Sequence, residues 1–127
     1  MARLGDIMHT SAFAAAPDTS VADVAKSMVK GRFGSALVTR GEVLIGIFTE
    51  RDVLRAAAAG TDLTTSPLSA WMTKDPETAT PDVDSEAAAQ MMLSGGFRHL
   101  PVVDGNRVIG IVSLRDVLAT RVRRAGS

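Results

Sequence analysis

Two short stretches of this 127-residue chain carry the residue types that could do chemistry. GIFTERD (46–52) is followed 64 residues later by GIVSLRD (110–116), so glycine, an apolar pair, a hydroxyl and an aspartate recur in the same order. A hydroxyl residue three before a carboxylate resembles a capping box, in which the two side chains satisfy free amides at a helix start. That reading needs no ligand. The flanking residues support a second one. Gly46 and Gly110 sit inside apolar, strand-like runs, where glycine marks the close approach of another backbone or a ligand. Each run leads into a helix start, whose free amides and dipole suit a phosphate. An ionised aspartate only accepts hydrogen bonds, so Asp52 and Asp116 would face ribose hydroxyls rather than phosphate, as the acidic residue of dinucleotide-binding folds does. Thr49 or Ser113 for a phosphate, the aspartate for a ribose and Ile47 or Ile111 for a base together describe an adenosine-nucleotide site, present twice.

Around the motif, Arg51 and Arg115 are placed to neutralise a phosphate tail or to stand solvated on a helix. Arg98 has the same two readings. His99 is expected as a partly buried histidine satisfied by backbone, with contact to a base or phosphate as the alternative. Only His9 accompanies it, so no metal site is expected. The chain has no cysteine and no tyrosine, and neither histidine lies in a nucleophile motif. Disulfides and thiolate chemistry are excluded, and no enzyme activity is expected. Fourteen basic residues balance fourteen acidic ones, giving no electrostatic reason to expect nucleic acid or an anionic membrane. Aromatic residues make up 4%, few for stacking single-stranded bases. Arg121, Arg123 and Arg124 suit a helix C-terminus. No apolar run approaches the roughly 20 residues of a membrane span. The opening MARLGDIMHT has charges where a signal peptide needs apolar residues. A cytoplasmic location is expected.

The elements that must position these residues are themselves duplicated. From Phe33 to Leu54 and from Phe97 to Leu118, Phe33, Val38, Gly41, Ile45, Gly46, Ile47, Arg51, Asp52, Val53 and Leu54 each recur. Met8, Pro17, Asp18, Met28 and Gly31 also have counterparts. Such a repeat is a supersecondary unit that needs its neighbour to bury an apolar face. In the first copy Val21, Val24, Ala25, Met28 and Val29 form a helical stripe, with Ser20 as N-cap and Gly31 as stop. Ala88, Ala89, Met92 and Leu93 repeat it, closed by Gly95 and Gly96. Met28, Met91 and Met92 are read as core filler. Strands SALVT and VLIGIF, or HLPVV and RVIGIV, join through RGE or DGN turns. A last helix starts at Thr49 with Val53, Leu54, Ala57 and Ala58 on one face, or at Ser113 with Val117, Leu118 and Val122. Residues 56–67 read as a linker, and Trp71 as an anchor for the segment that opens the second copy. The pattern is β-α-β-β-α twice, a mixed α/β (α+β) chain with repeats at 4–60 and 69–122, a linker at 61–68 and a tail at 123–127.

With LGDIM and LSAWMT opening the copies, PDTSVADVAKSM and PDVDSEAAAQMM leading the helices, and FGSALVTRGEVLIGIFTERDVL matching FRHLPVVDGNRVIGIVSLRDVL, the chain resembles a tandem pair of cystathionine-β-synthase-type (CBS) domains, the Bateman module. The match covers residues 4–122 and leaves no catalytic domain over. It implies two repeats packed about a pseudo-twofold axis, further association into a dimer, and regulatory binding of AMP, ADP, ATP, S-adenosylmethionine or a related ligand such as NAD, with no cofactor required. Carried over, one cleft sets Ile47, Thr49 and Asp52 against Thr78 and Arg98, His99, Leu100 and Pro101. The other sets Ile111, Ser113 and Asp116 against AFAAA and Ser35–Ala36. Ala14 stands where the second copy has Thr78, and SALV lacks the proline of HLPV, so the Asp52 cleft is expected to be the stronger. The alternative is a ligand-free dimerisation or interaction module. A sensor of this kind acts on a separate regulated protein.

Overall fold

The structure, a computed structural model, describes residues 2–126, with side chains as far as Arg121. In chain order the elements are α1 (Leu4–Ile7), β1 (Ala14–Ala15), α2 (Val21–Gly31), β2 (Ser35–Arg40), β3 (Val43–Thr49) and α3 (Glu50–Ala58). A 3₁₀ turn (Leu68–Ala70), β4 (Thr73–Lys74), α4 (Ser85–Gly95), β5 (His99–Asp104), β6 (Arg107–Ser113) and α5 (Leu114–Gly126) follow. The β-α-β-β-α order read from the sequence is present in the first copy. In the second copy its leading strand is a single parallel bridge, Ala79 to Val102.

The chain divides into two compact units, and their ends differ from those of the repeat. One unit is Ala12–Pro76; the other joins the N-terminal residues up to Ser11 to Glu77 and beyond. Each unit thus holds the opening segment of the other copy. In the first unit β1 runs parallel to β2, β2 antiparallel to β3, and β3 antiparallel to β4. Val21, Val24, Met28, Ala36, Val38, Phe48, Ala56 and Leu68 form its core, with Phe13, Trp71 and Met72 packed around it. The segment read as a linker is bonded to this unit. Val21 N–H donates to the Ser66 carbonyl and Ala22 N–H to that of Leu63, both at 2.9 Å, and Leu68 N–H donates to Thr19 at 3.0 Å.

The second unit repeats the arrangement. β5 and β6 form the hairpin, and His9 bridges Ile111 where β4 lies in the first unit. Leu4, Ala79, Ala88, Ala89, Met92, Leu100, Val102, Val112 and Val117 form the core. Leu4 is wholly buried in it, and Leu4 N–H donates to the Val83 carbonyl at 2.9 Å.

Helix caps follow sequence closely at the start. The Ser20 hydroxyl accepts from Asp23 N–H at 3.1 Å, and the Asp84 carboxylate from Glu86 N–H at 2.8 Å. At the end they differ. Gly31 remains helical, and Arg32 takes the left-handed conformation (φ +58°) that Gly96 takes in the second copy (φ +71°). A non-glycine residue there costs about 1 kcal/mol.

On four helices the buried face departs from the apolar stripe read in the sequence. Val29 and Leu93 are exposed, so α2 and α4 bury narrower seams than expected. On α3 the buried positions are Asp52 and Ala56, with Val53 packed against the core, while Leu54, Ala57 and Ala58 are exposed. Leu118 is likewise exposed although Val117 is buried. The expectations for the side chains of Val122, Arg123 and Arg124 lie outside the described residues. Arg121 is paired with Glu86 at 2.5 Å.

Candidate functional site

Each hydroxyl–aspartate motif stands where a strand becomes a helix. β3 ends at Thr49, which caps α3, and β6 ends at Ser113, ahead of α5. Both motifs form capping boxes. Thr49 N–H donates to Asp52 Oδ2 at 2.9 Å, and the Thr49 hydroxyl to the same oxygen at 3.3 Å. Ser113 N–H donates to Asp116 Oδ2 at 2.9 Å, while Asp116 N–H donates back to the Ser113 hydroxyl at 3.0 Å. One oxygen of each carboxylate is therefore committed to its helix start.

The other oxygen distinguishes the copies. Asp52 Oδ1 accepts from Arg55 Nη1 at 2.8 Å, and the Arg55 guanidinium lies 5.5 Å from the centre of the Trp71 ring. Trp71 Nε1 donates in turn to the Ser66 hydroxyl at 3.0 Å. Asp116 Oδ1 instead meets His9 Nε2 at 3.2 Å. The positions corresponding to Arg55 and His9 are Ala119 and Thr73, so neither partner is duplicated. The side chain of Asp52 is 7% exposed and that of Asp116 26%. Burial pushes the Asp116 carboxyl up, but hydrogen bonds from Ser113 and His9 outweigh it and hold the carboxyl below the usual carboxylate range.

The strand glycines admit backbone. A Cβ on Gly46 would lie 2.9 Å from the Thr73 carbonyl oxygen and 2.5 Å from Met72 Sδ. On Gly110 it would lie 3.0 Å from the His9 carbonyl oxygen and 2.8 Å from Met8 Sδ. Of the two partners the sequence suggested for these glycines, the structure supplies a neighbouring chain segment in both copies.

Among the remaining candidates, Ile47 is buried in register with Leu37, and Ile111 is half-buried in register with Pro101. Their neighbours Phe48 and Val112 belong to the cores, so alternation along the strands turns Ile47 and Ile111 to the opposite face. Ser35 lies opposite Thr49, and His99 opposite Ser113, so each unit brings the start of its hairpin to its own motif hydroxyl. Leu100 is a core residue, whereas Arg98 is exposed. Thr78 is half-buried beside Ala79, whose N–H donates to the Pro101 carbonyl at 3.0 Å. Ala14, its counterpart, pairs with Leu37 on β1. Arg51 and Arg115 are exposed. Among the described residues no group of three or more His, Cys, Asp or Glu is placed to hold a metal, and no helix is long and apolar enough to cross a membrane.

Sequence reasoning missed Arg55 and His9. Arg55 stands three residues after Asp52, a spacing that brings helix side chains together, so its signal was present. His9 reaches Asp116 across 107 residues and left none.

The CBS domain model matches the chain twice, over residues 4–59 and 68–123. The CBS domain-containing protein YhcV of Bacillus subtilis is 32% identical over 123 residues, covering 96% of this chain and 87% of that protein. Among solved structures, a CBS domain protein of Pyrobaculum aerophilum complexed with AMP superposes with a TM-score of 0.87 at 25% identity, covering 98% of this chain and 99% of that one. The CBS domain pair of protein MJ0100, in complex with 5′-methylthioadenosine and S-adenosyl-L-methionine, also gives 0.87 at 25% identity, covering 100% and 99%. With a mixed helix-and-strand fold that matches CBS-pair structures and two family domains that span most of its length, the chain belongs to the CBS-domain family.

Proposed function

We propose that the chain is a non-catalytic regulatory sensor that binds an adenosyl ligand of the AMP, ADP or ATP class in clefts between its repeats. The observation that carries this reading is the duplicated motif itself. At two strand–helix junctions a hydroxyl and a carboxylate are fixed together by the helix cap, and the outer carboxylate oxygen meets an exposed side chain, Arg55 or His9. Paired ribose hydroxyls have to displace that partner, Arg55 in one copy and His9 in the other. In one cleft Ile47 takes the base, Asp52 the ribose and Thr49 the phosphate, opposite Thr78 and Arg98–Pro101. In the other Ile111, Asp116 and Ser113 take the same roles opposite residues 12–16 and Ser35–Ala36. Arg51, Arg98 and Arg115 serve the phosphates. Binding changes the protein's preferred arrangement only if the ligand binds the two arrangements with different free energy, and a separate protein reads that change. The site needs no cofactor, and a soluble cytoplasmic setting suits the ligand class. The similar structures complexed with AMP and with 5′-methylthioadenosine and S-adenosyl-L-methionine support an adenosyl ligand without choosing among these groups. A ligand panel, described at the close of the Discussion, tests it.

The second reading, a ligand-free interaction module, is favoured by the capping boxes, which already use one oxygen of each aspartate. The two readings share a self-association. Val29 and Leu54 are large apolar side chains exposed on helices, and so are their counterparts Leu93 and Leu118. Repetition of exposed apolar positions suits contact with a second copy. A sedimentation mass near twice 13.3 kDa is expected, falling to the monomer in the Leu54→Glu, Leu118→Glu variant. A wild-type monomer at all concentrations would exclude it.

A further inference from the structure

The two aspartates are held by partners of different chemistry, and this bears on when each site accepts a ligand. Arginine keeps its charge in proteins. Histidine changes charge between about pH 5 and 8. His9 is 63% exposed and reaches Asp116 Oδ1, the oxygen that the cap leaves available. Its backbone is pinned at the same place: His9 N–H donates to the Ile111 carbonyl at 2.8 Å, and Ile111 N–H to that of His9 at 3.1 Å. The backbone of His9 therefore stays beside the carboxylate whether or not the ring is charged. We propose that His9 gates the Asp116 site, its protonated ring holding the outer carboxylate oxygen against ribose hydroxyls and its neutral ring yielding that oxygen to them. This rests on the adenosyl-binding reading above.

The surrounding groups leave this role to His9. Ser113 on β6 faces the carboxylate with a backbone N–H and a hydroxyl, neither of which titrates in this range. On α5, Arg115 is exposed and Arg121 is bound to Glu86 of α4. Arg107 lies at the far end of β6, and Arg3 and Asp6 belong to the α1 segment. His99 of β5, opposite Ser113, is the other histidine of the unit and the one competing explanation. The Asp116 carboxyl is held below its usual range, so it remains ionised while histidine titrates. The carboxylate is ionised at both pH values, so charging the ring adds an exposed ion pair to an existing hydrogen bond, which corresponds to an affinity change of up to about fivefold.

The experiment is a calorimetric titration of the full chain with 5′-methylthioadenosine, which has no phosphate to titrate, at pH 5.5 and pH 8. Wild type, His9→Gln, His99→Gln and Asp52→Ala are compared, the last leaving Asp116 as the only motif carboxylate. The expected result is an affinity for Asp52→Ala weaker at pH 5.5 than at pH 8, by up to about fivefold. That ratio falls to near one when His9→Gln is added. Equal affinities at both pH values, tighter binding at pH 5.5, or a ratio abolished by His99→Gln and retained in His9→Gln would each overturn the gate while leaving the sensor intact. Absence of binding in every variant at both pH values, with the AMP series also silent, would overturn the sensor and the gate with it.

Discussion

Gly110→Val lowers the stability of the chain by about 3 kcal/mol and frees residues 2–11 for proteolysis. The side chain has no room, because a Cβ alone meets Met8 Sδ at 2.8 Å and the His9 carbonyl oxygen at 3.0 Å. The thioether can swing aside, but the carbonyl cannot. It accepts Ile111 N–H at 3.1 Å, beside the reciprocal bond at 2.8 Å. Two backbone hydrogen bonds contribute about 1 kcal/mol each. Displacing the segment also exposes part of Met8 and of Leu4, a wholly buried side chain worth about 2 kcal/mol. Urea unfolding gives the free energy, and limited proteolysis with N-terminal sequencing gives the site of cutting. Met8→Ala does not rescue the variant, since the carbonyl contact remains. Gly110→Val within about 0.5 kcal/mol of wild type, with unchanged proteolysis, would show that the glycine is not required by the neighbouring segment.

Asp52→Ala has two effects of different size. Thr49 loses the acceptor for its N–H and hydroxyl, and Arg55 loses its ion partner. Loss of a cap costs about 1 kcal/mol. The arginine, 56% exposed, is still solvated, so the whole cost stays near 2 kcal/mol. The effect on ligand is larger. Two ribose hydroxyls donating to an ionised carboxylate contribute about 1.5–3 kcal/mol each, so the affinity of the Asp52 site falls by at least about 100-fold. Chemical denaturation and calorimetry on one preparation separate the two. A stability loss with ligand affinity unchanged would reduce Asp52 to a helix cap.

Much of this fold was legible because its signals are local. Ser20 caps α2 as read, the hairpins turn at Gly41 and Gly105, and both motifs begin helices. Where the sequence was uniform, phase was lost. From Val53 to Ala59 only Arg55 is polar, so periodicity could not tell that Ala56 rather than Ala57 or Ala58 turns inward. The exchange of opening segments was not legible either. LGDIM and LSAWMT match each other, and matching sequence does not say which copy each one packs against. Leu4 and Leu68 resolve it by their cores. The anchoring role read for Trp71 is met on the first unit, through Ser66 and Arg55. The motif aspartates were evident from the repeat, while their different partners required the fold, because divergence at Arg55 and His9 looks like any other substitution between copies.

The central measurement is a thermal-shift titration of the purified chain with AMP, ADP, ATP, S-adenosylmethionine and NAD, with guanosine nucleotides as controls. A ligand at about one hundred times its dissociation constant adds about 2.7 kcal/mol, a rise of several degrees for a domain of this size. The expected result is a saturable rise for an adenine nucleotide, absent with guanosine nucleotides and abolished when both Asp52 and Asp116 are replaced by alanine. Flat curves across the panel, or a rise that survives the double substitution, would contradict adenosyl binding at the duplicated motif.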